Sequence, residues 1–123
     1  MKIRKAKLKD VNECMKMEKL DKSSYWNKID FERAIKDKLS IFLIAEDNKK
    51  IVGYILGFMC PTRITDVMIH ETRVNKTLRH KRIGTKLVNE FCKIAFKKGA
   101  KDIYALIDQE LVNFYIKSCK FKK

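Results

Sequence analysis

Proline is nearly absent from this chain of 123 residues, which has one proline and four glycines. Internal repeats and low-complexity segments, which would mark a linker between folding units, are missing as well. A chain of this length can bury one hydrophobic core but is too short for two. We therefore predict a single domain that spans residues 1–123.

Long hydrophobic runs are also missing. The longest stretch without a charged residue, residues 51–62, has 12 residues, whereas a helix needs about 20 apolar residues to cross a bilayer. The basic residues at positions 2, 4 and 5 are not followed by the apolar stretch of a secretory leader. These features predict a cytoplasmic protein without a membrane partner.

Cysteine and histidine are too few and too scattered to suggest a metal centre. The four cysteines at positions 14, 60, 92 and 119 form no Cys-x-x-Cys pair, and the two histidines do not cluster near them. Zinc sites and disulfide frameworks depend on such spacings. We expect no metal, and we interpret the cysteines as small buried side chains.

Acidic residues are about half as frequent as basic ones, and the net charge is +14. The excess lies in residues 1–9, with five basic and no acidic residues, and in residues 76–123, with 13 basic and four acidic residues. This segregation favours a ligand with several phosphate groups. Nucleic-acid binding, with an affinity that falls steeply with salt, is the less favoured alternative because Phe91, Phe96 and Phe114 lie on predicted apolar faces.

The hydrophobic pattern predicts strands and helices in the order β-α-α-β-β-β-α-β-α-(β). Helical spacing recurs after Asp10, which we predict to begin the first helix, in residues 31–39, in residues 84–98 before Gly99, and in residues 111–117. Strand patterns occupy residues 2–7, 41–45, 51–56, 65–74 and 103–107, and the pattern leaves open whether a final strand begins at Phe121. Residues 46–50 join two of these strands in a hairpin. The order predicts an α/β domain with a mixed sheet covered by helices.

The segment from Val74 to Leu87 carries the functional signal. A strand ends there, a loop with several basic residues follows, and a helix begins at Gly84. The first turn of a helix has backbone N–H groups without intrahelical acceptors, and its dipole favours an anion. The pattern predicts a phosphate site, and the alternative is a solvated basic loop before an ordinary surface helix.

This segment resembles the signature of the GNAT superfamily of acyl-CoA-dependent N-acyltransferases, Val-x-x-x-x-Arg/Gln-x-x-Gly-x-Gly/Ala between a strand and a helix. Val74, Arg79 and Gly84 match it, and Arg82 replaces the first glycine, which is expected to strain the backbone. The resemblance implies a mostly antiparallel sheet with about four helices, and acetyl-CoA as co-substrate. It implies that the cofactor's pyrophosphate is held by Arg79, His80, Lys81, Arg82, Ile83, Gly84 and Thr85. It further implies that the backbone of Thr72, Arg73 and Val74 binds the pantetheine arm and polarises the thioester.

The resemblance extends over nearly the whole chain, and the loop with Trp26 is most like the branch that acetylates protein N-termini. It implies that Tyr115 protonates the departing thiolate, and that Asp108 stands nearest to an asparagine of the family's cofactor site. The family's Gly-Phe pair is altered after Tyr115, and the last strand has no counterpart. The acceptor pocket is therefore expected to be open, or to be completed by a second subunit in a homodimer.

His70 lies nine residues before Arg79, the spacing at which some members of the family place a catalytic histidine. It is the candidate base or anchor for a relay water, and the alternative is an exposed histidine without a role. Glu71 is expected to face the opposite side of a regular strand.

The resemblance implies transfer of acetyl from acetyl-CoA to a primary amine. The amine could be a protein N-terminal α-amine or a small amine. An α-amine, with a pKa of about 8, needs less help from a base than a lysine-like amine with a pKa of about 10.4. The alternative that keeps the fold is a CoA-binding regulatory module without turnover.

Overall fold

The computed structural model describes residues 1–19, 26–75, 77–78 and 82–105. The helices are α1 (Val11–Lys19), α2 (Lys28–Lys36) and α3 (Ile83–Lys97). The strands are β1 (Lys2–Lys5), β2 (Ser40–Asp47), β3 (Lys50–Cys60), β4 (Arg63–Val74) and β5 (Asp102–Ala105). The predicted last helix and final strand lie outside the described residues. Within those residues, no helix has the length and apolar character needed to cross a membrane.

The five described strands form one sheet in the order β1–β2–β3–β4–β5. The first four strands are antiparallel, and β5 runs parallel to β4 after the crossover through α3. Asn48 and Lys49, between β2 and β3, both have positive φ, as a type I′ hairpin turn requires. The predicted mixed, mostly antiparallel α/β fold is confirmed.

Helices cover both faces of this sheet, and the two cores differ in composition. On the α3 face, α3 packs over a mainly aliphatic core that contains Leu43, Ile55 and Leu87. On the opposite, α1–α2 face, the core is rich in aromatic rings and contains Phe31 and Tyr54. Alternate residues of each strand contribute to the two cores because side chains alternate across a sheet.

Two glycines of β3 let α3 lie close to the sheet. A Cβ atom at Gly57 would stand 2.5 Å from Cζ of Phe91, and a Cβ atom at Gly53 would stand 3.2 Å from Cδ1 of Leu87 and 3.4 Å from Cγ2 of Ile83. Any side chain at these positions would push the helix outward. Gly53 therefore allows the start of α3, and Gly57 its middle, to pack closely against β3.

The C-terminal end of α3 is well defined. Gly99 follows the helix with a φ of 104°, and the N–H of Ala100 donates to the carbonyl of Ala95 over 3.0 Å. This is the Schellman arrangement expected of a terminating glycine.

One predicted core residue of α3 is not buried. Phe96 is 55% exposed, so its predicted place on the apolar face was wrong. It lies on the side of α3 that points away from the sheet.

Asp10 also differs from its prediction as the start of the first helix. That helix begins at Val11, and Asp10 closes a short 3-10 turn whose N-cap is Lys7. The carboxylate of Asp10 accepts the N–H of Lys7 over 2.7 Å and two N–H groups of the Arg4 guanidinium over 2.8 Å. Burial opposes the ionisation of Asp10, but the hydrogen bonds from Arg4 hold the pKa of Asp10 below its usual value. The ion pair joins β1 to the start of α1.

Candidate active site

The first turn of α3 lies where the sequence predicts a phosphate site, and the helix begins at Ile83, one residue earlier than predicted. Arg82 is the N-cap residue, but its side chain makes no capping hydrogen bond, and no acidic residue lies in the first turn. The N–H groups of Ile83, Gly84 and Thr85 have no acceptor within the helix. Together with the positive end of the helix dipole, they form a favourable environment for an anion.

Arg82 has a left-handed backbone, with φ 61° and ψ 22°. Strain is expected at this position because the GNAT signature has glycine there. A side chain in this region costs about 1 kcal/mol relative to an ordinary conformation. The predicted strain is confirmed, and the exposed Arg82 side chain stands at the mouth of the helix N-terminus.

The end of β4 lies beside this helix start. The described pairs between β4 and β5 run from Asp66–Asp102 to Ile69–Ala105, whereas β4 stays paired with β3 as far as the Gly53–Val74 pair. Thr72, Arg73 and Val74 therefore follow the last described pair with β5. Because Gly53 contacts both Val74 and the first turn of α3, the structure brings the two predicted parts of the cofactor site together.

A β-bulge at His70 changes the direction of the side chains in β4. Leu56 pairs with Glu71 and its neighbour Gly57 pairs with Ile69, so His70 is the extra residue. The expectation that Glu71 faces away from His70 was wrong, because a bulge breaks the alternation of a regular strand. Both side chains lie on the α1–α2 face.

The contacts of His70 and Glu71 establish this placement. The His70 ring lies 4.7 Å from the ring of Trp26, centroid to centroid, and 6.3 Å from that of Phe58. Oε2 of Glu71 accepts a hydrogen bond from the Tyr54 hydroxyl over 2.9 Å. The guanidinium of Arg73 donates to Oε1 of Glu71. The bulge thus gathers an imidazole, a carboxylate and a guanidinium next to aromatic rings.

Glu18 of α1 lies near this group and is 2% exposed. Its Oε1 accepts the backbone N–H of Trp26 over 2.7 Å. Its Oε2 is buried without a hydrogen-bond partner among the described residues. Burial, followed by the charge of Glu71, raises the pKa of Glu18 to about 7. Glu18 is therefore a carboxylic acid that can change its protonation state near neutral pH.

Sequence reasoning missed Glu18, although the sequence contains a signal for it. Glu18 follows Val11 by seven residues and Cys14 by four, so it lies on the same stripe of the helix as these buried side chains. A glutamate on an apolar stripe is unusual because burying its charge is costly.

The remaining predicted site residues, Arg79, His80, Lys81, Asp108 and Tyr115, lie outside the described residues. The part of the chain that is described contains no group of three or more His, Cys, Asp or Glu side chains arranged to hold a metal ion. A cleft of about 380 Å³ lies between β1, β2, α2 and α3, and none of the predicted site residues lines it.

Comparisons with known proteins show the family and the fold of the chain. A family model described as the acetyltransferase (GNAT) family matches residues 7–121. No curated protein matches the chain significantly. A transcriptional regulator from Bacillus halodurans C-125 has a TM-score of 0.84 and 22% identity, with 98% of this chain and 92% of that chain covered. An aminoglycoside antibiotic 6'-N-acetyltransferase from Acinetobacter haemolyticus has a TM-score of 0.84 and 11% identity, over 100% and 92% of the two chains.

A third solved structure, glucosamine-6-phosphate N-acetyltransferase from Arabidopsis thaliana, has a TM-score of 0.75 and 19% identity, over 99% of this chain and 92% of that chain. At these identities the solved structures establish a shared fold. The family match confirms the prediction that the chain is an acyltransferase.

Proposed function

The chain belongs to the acetyltransferase (GNAT) family, and on that premise we propose that it transfers the acetyl group of acetyl-CoA directly to a primary amine. One observation carries the proposal: α3 begins without a side-chain cap or an acidic residue in its first turn, beside the end of β4. A diphosphate fits such a helix start because it supplies the negative charge and the acceptors that the first-turn N–H groups need.

In the proposed complex, the amides of Ile83, Gly84 and Thr85 hold the pyrophosphate and the Arg82 guanidinium lies beside it. Arg79, His80, Lys81 and Asp108 complete the cofactor site, and residues 72–74 follow the pantetheine arm. This arrangement holds the thioester against the bulged part of β4. Holding both reactants in one geometry supplies most of the gain in a direct transfer.

The transfer forms a C–N bond between the acceptor nitrogen and the acetyl carbon, and it breaks the C–S bond of the thioester. The departing thiolate needs a proton, and we assign its delivery to the phenol of Tyr115. The acceptor nitrogen needs a free lone pair, so it has to lose a proton before it attacks. His70, which lies at the bulge, remains a candidate base or water anchor for that step.

The acceptor we propose is a primary amine of moderate basicity, either a protein N-terminal α-amine or a small amine. The resemblance of the Trp26 loop supports the first class. Two enzymes of the same fold are named for aminoglycoside and glucosamine-6-phosphate acetylation, which supports the second class. A panel of short peptides and amino sugars, assayed for thiol release from acetyl-CoA, would separate the two classes.

The cofactor site is tested by calorimetry with acetyl-CoA and two variants of Gly84. Gly84→Asp places a carboxylate against the diphosphate and is expected to weaken binding by at least about 100-fold, which is about 2.7 kcal/mol. Gly84→Asn is the matched control, because it adds nearly the same volume without the charge, and we expect it to bind more tightly than the Asp variant. Thermal unfolding checks that both variants fold. Absence of binding to the wild-type protein, or equal affinities of the wild-type and Asp proteins, would contradict the proposal.

A further inference from the structure

The cleft between the end of β1 and the last turns of α3 has no part in the proposed function. Its volume of about 380 Å³ falls within the range of pockets that hold small molecules in proteins. Its lining is largely apolar and includes Ile3, Ile35, Ile41, Leu43 and Ile94. Three of these isoleucines, at positions 3, 35 and 94, are only partly buried, so a ligand that covered them would remove apolar surface from water.

The cleft exists because β1 ends before β2 does. The register between the two strands runs as far as the Lys5–Leu43 pair, and the chain then enters the 3-10 turn that leads to α1. No strand of the described part of the chain pairs with Ser40 and Ile41 on this side of β2. The opening therefore follows from the unequal lengths of two neighbouring strands.

The ends of two helices form the sides of the cleft. Glu90 and Ile94 of α3, and Lys98 just after it, follow one another at intervals of four residues, so they lie on one side of the helix. Ile35, in the last turn of α2, lies on the other side of the cleft. Ile94 packs against the aliphatic core and Ile35 against the aromatic core. The cleft thus lies at the edge of the sheet, where the two cores meet.

The rim of the cleft carries more positive than negative charge. Lys5, Lys38 and Lys98 belong to three different parts of the fold, and all three are exposed. Their ammonium groups form no ion pair with any residue that the structure describes. The acidic residues of the lining are Asp37 and Glu90, and Oδ1 of Asp37 already accepts a backbone N–H over 2.8 Å. The three lysines are therefore available to a ligand.

Arg4 is the fourth cation of the lining, but its guanidinium is bound by the carboxylates of Asp10 and Glu46. Its charge is neutralised within the protein, so it does not attract a ligand. The protein as a whole has a net charge of +14, which favours the approach of anions. An anion with an apolar body would match both the lysines of the rim and the isoleucines of the floor.

We propose that this cleft is a second ligand site, which binds a small carboxylic acid with an aromatic or alkyl body. The body lies on the isoleucine side chains, and the carboxylate lies at the rim among Lys5, Lys38 and Lys98. A singly charged carboxylate suits this rim better than a phosphate does, because Asp37 and Glu90 share the rim and would repel a second negative charge.

The cleft and the cofactor site can be occupied at the same time. Ile94 follows Ile83 by 11 residues along α3, which separates them by about 16 Å along the helix axis. None of the residues assigned to the cofactor site lines the cleft. A ligand of the cleft therefore does not compete with acetyl-CoA, and the inference does not depend on acetyl transfer.

An NMR titration of the ¹⁵N-labelled protein with 3-phenylpropanoate tests the site, and 3-phenylpropanamide is the matched probe without the charge. We expect the amide signals of Ile3, Ile41 and Ile94 to shift, with a dissociation constant of about 1 mM or tighter. The uncharged amide should bind at least about threefold more weakly. Saturation with CoA should leave the titration unchanged.

Three results of this titration would overturn the inference. The first is the absence of any shift with probe at about 10 mM. The second is a set of shifts confined to the first turn of α3 and abolished by CoA, which would place the probe in the cofactor site. The third is equal affinity for the carboxylate and the amide, which would remove the role of the lysines.

Lys98→Gln removes one charge from the rim, and Lys97→Gln is its matched control. Lys97 is exposed at the same end of α3 but does not line the cleft. We expect Lys98→Gln to weaken the binding of 3-phenylpropanoate about threefold, and Lys38→Gln combined with it to weaken binding about tenfold. The affinity for the amide should not change in either variant. Wild-type affinity of the double variant for the carboxylate, or an equal loss in Lys97→Gln and Lys98→Gln, would overturn the proposal.

Discussion

The two faces of the sheet differ in what they bury. On the α3 face the described core is apolar, and glycines bring the helix against the strand. On the α1–α2 face, the buried Glu18 accepts the N–H of Trp26, which packs against the aromatic core, and Glu71 forms an ion pair with Arg73. The first face positions backbone groups at the end of a helix, which requires close packing. The second face positions ionisable side chains, which costs stability.

The largest expected effect comes from disturbing the tight packing of the α3 face. Gly57→Ala places a methyl group against the Phe91 ring and the backbone of β4, so we expect the free energy of unfolding to fall by about 2–3 kcal/mol. Urea unfolding measures this loss. The matched control is Gly99→Ala, where a Cβ would meet nothing within 4 Å and the positive φ alone should cost about 1 kcal/mol. Equal losses in both variants would show that the contact of α3 with the sheet is not tight.

The opposite face should respond to removal of a charge by gaining stability. The pKa of Glu18 rises from 4.5 to about 7 on folding. Between these values the native protein keeps a proton that the unfolded chain has lost, so this contribution to stability is present below pH 4.5 and is lost as the pH rises through 7. We expect Glu18→Gln to be more stable than the wild type at pH 8 by about 1–2 kcal/mol, after allowance for screening by water.

Urea unfolding of the same pair at several pH values checks this sign. The difference between variant and wild type should be smallest near pH 4.5, where the carboxylic acid is neutral in the native state, and should reach its full size above pH 8. A difference that does not vary with pH would contradict the raised pKa of Glu18. The same result would show that burial and the nearby charge of Glu71 do not raise the pKa of Glu18.

The sequence predicts the α3 face better than the α1–α2 face, for a physical reason. The hairpin at residues 46–50, the start of α3 near Gly84 and the end of α3 before Gly99 all depend on local backbone preferences, which neighbouring residues reveal. The aliphatic stripe of α3 follows from the helical period of 3.6 residues. The prediction from this period was wrong at Phe96, where the stripe is wider than the surface that the sheet can cover.

The features that sequence reasoning missed depend on partners distant in the chain. The bulge at His70 arises from the pairing of β4 with β3, and no local pattern in residues 65–74 shows where a residue is inserted. The burial of Glu18 depends on the packing of α1 against β3 and β4. Its position on an apolar stripe was visible in the sequence, but its proximity to Glu71 requires the bulge as well.

The smallest expected effect comes from two variants of Arg82. They separate the contribution of backbone strain from that of charge at the start of α3. Arg82→Gly relieves the left-handed strain but adds disorder to the unfolded chain, so we expect a change of at most about 1 kcal/mol in stability. Arg82→Asn also suits this backbone conformation and keeps a side chain without the charge. If the guanidinium grips a phosphate, both variants should bind acetyl-CoA several-fold more weakly in calorimetry, and the loss should shrink at high salt. If both variants kept the wild-type affinity for acetyl-CoA, the guanidinium of Arg82 would not contribute to anion binding. The backbone amides and the cations other than Arg82 would then bind the anion at this helix start.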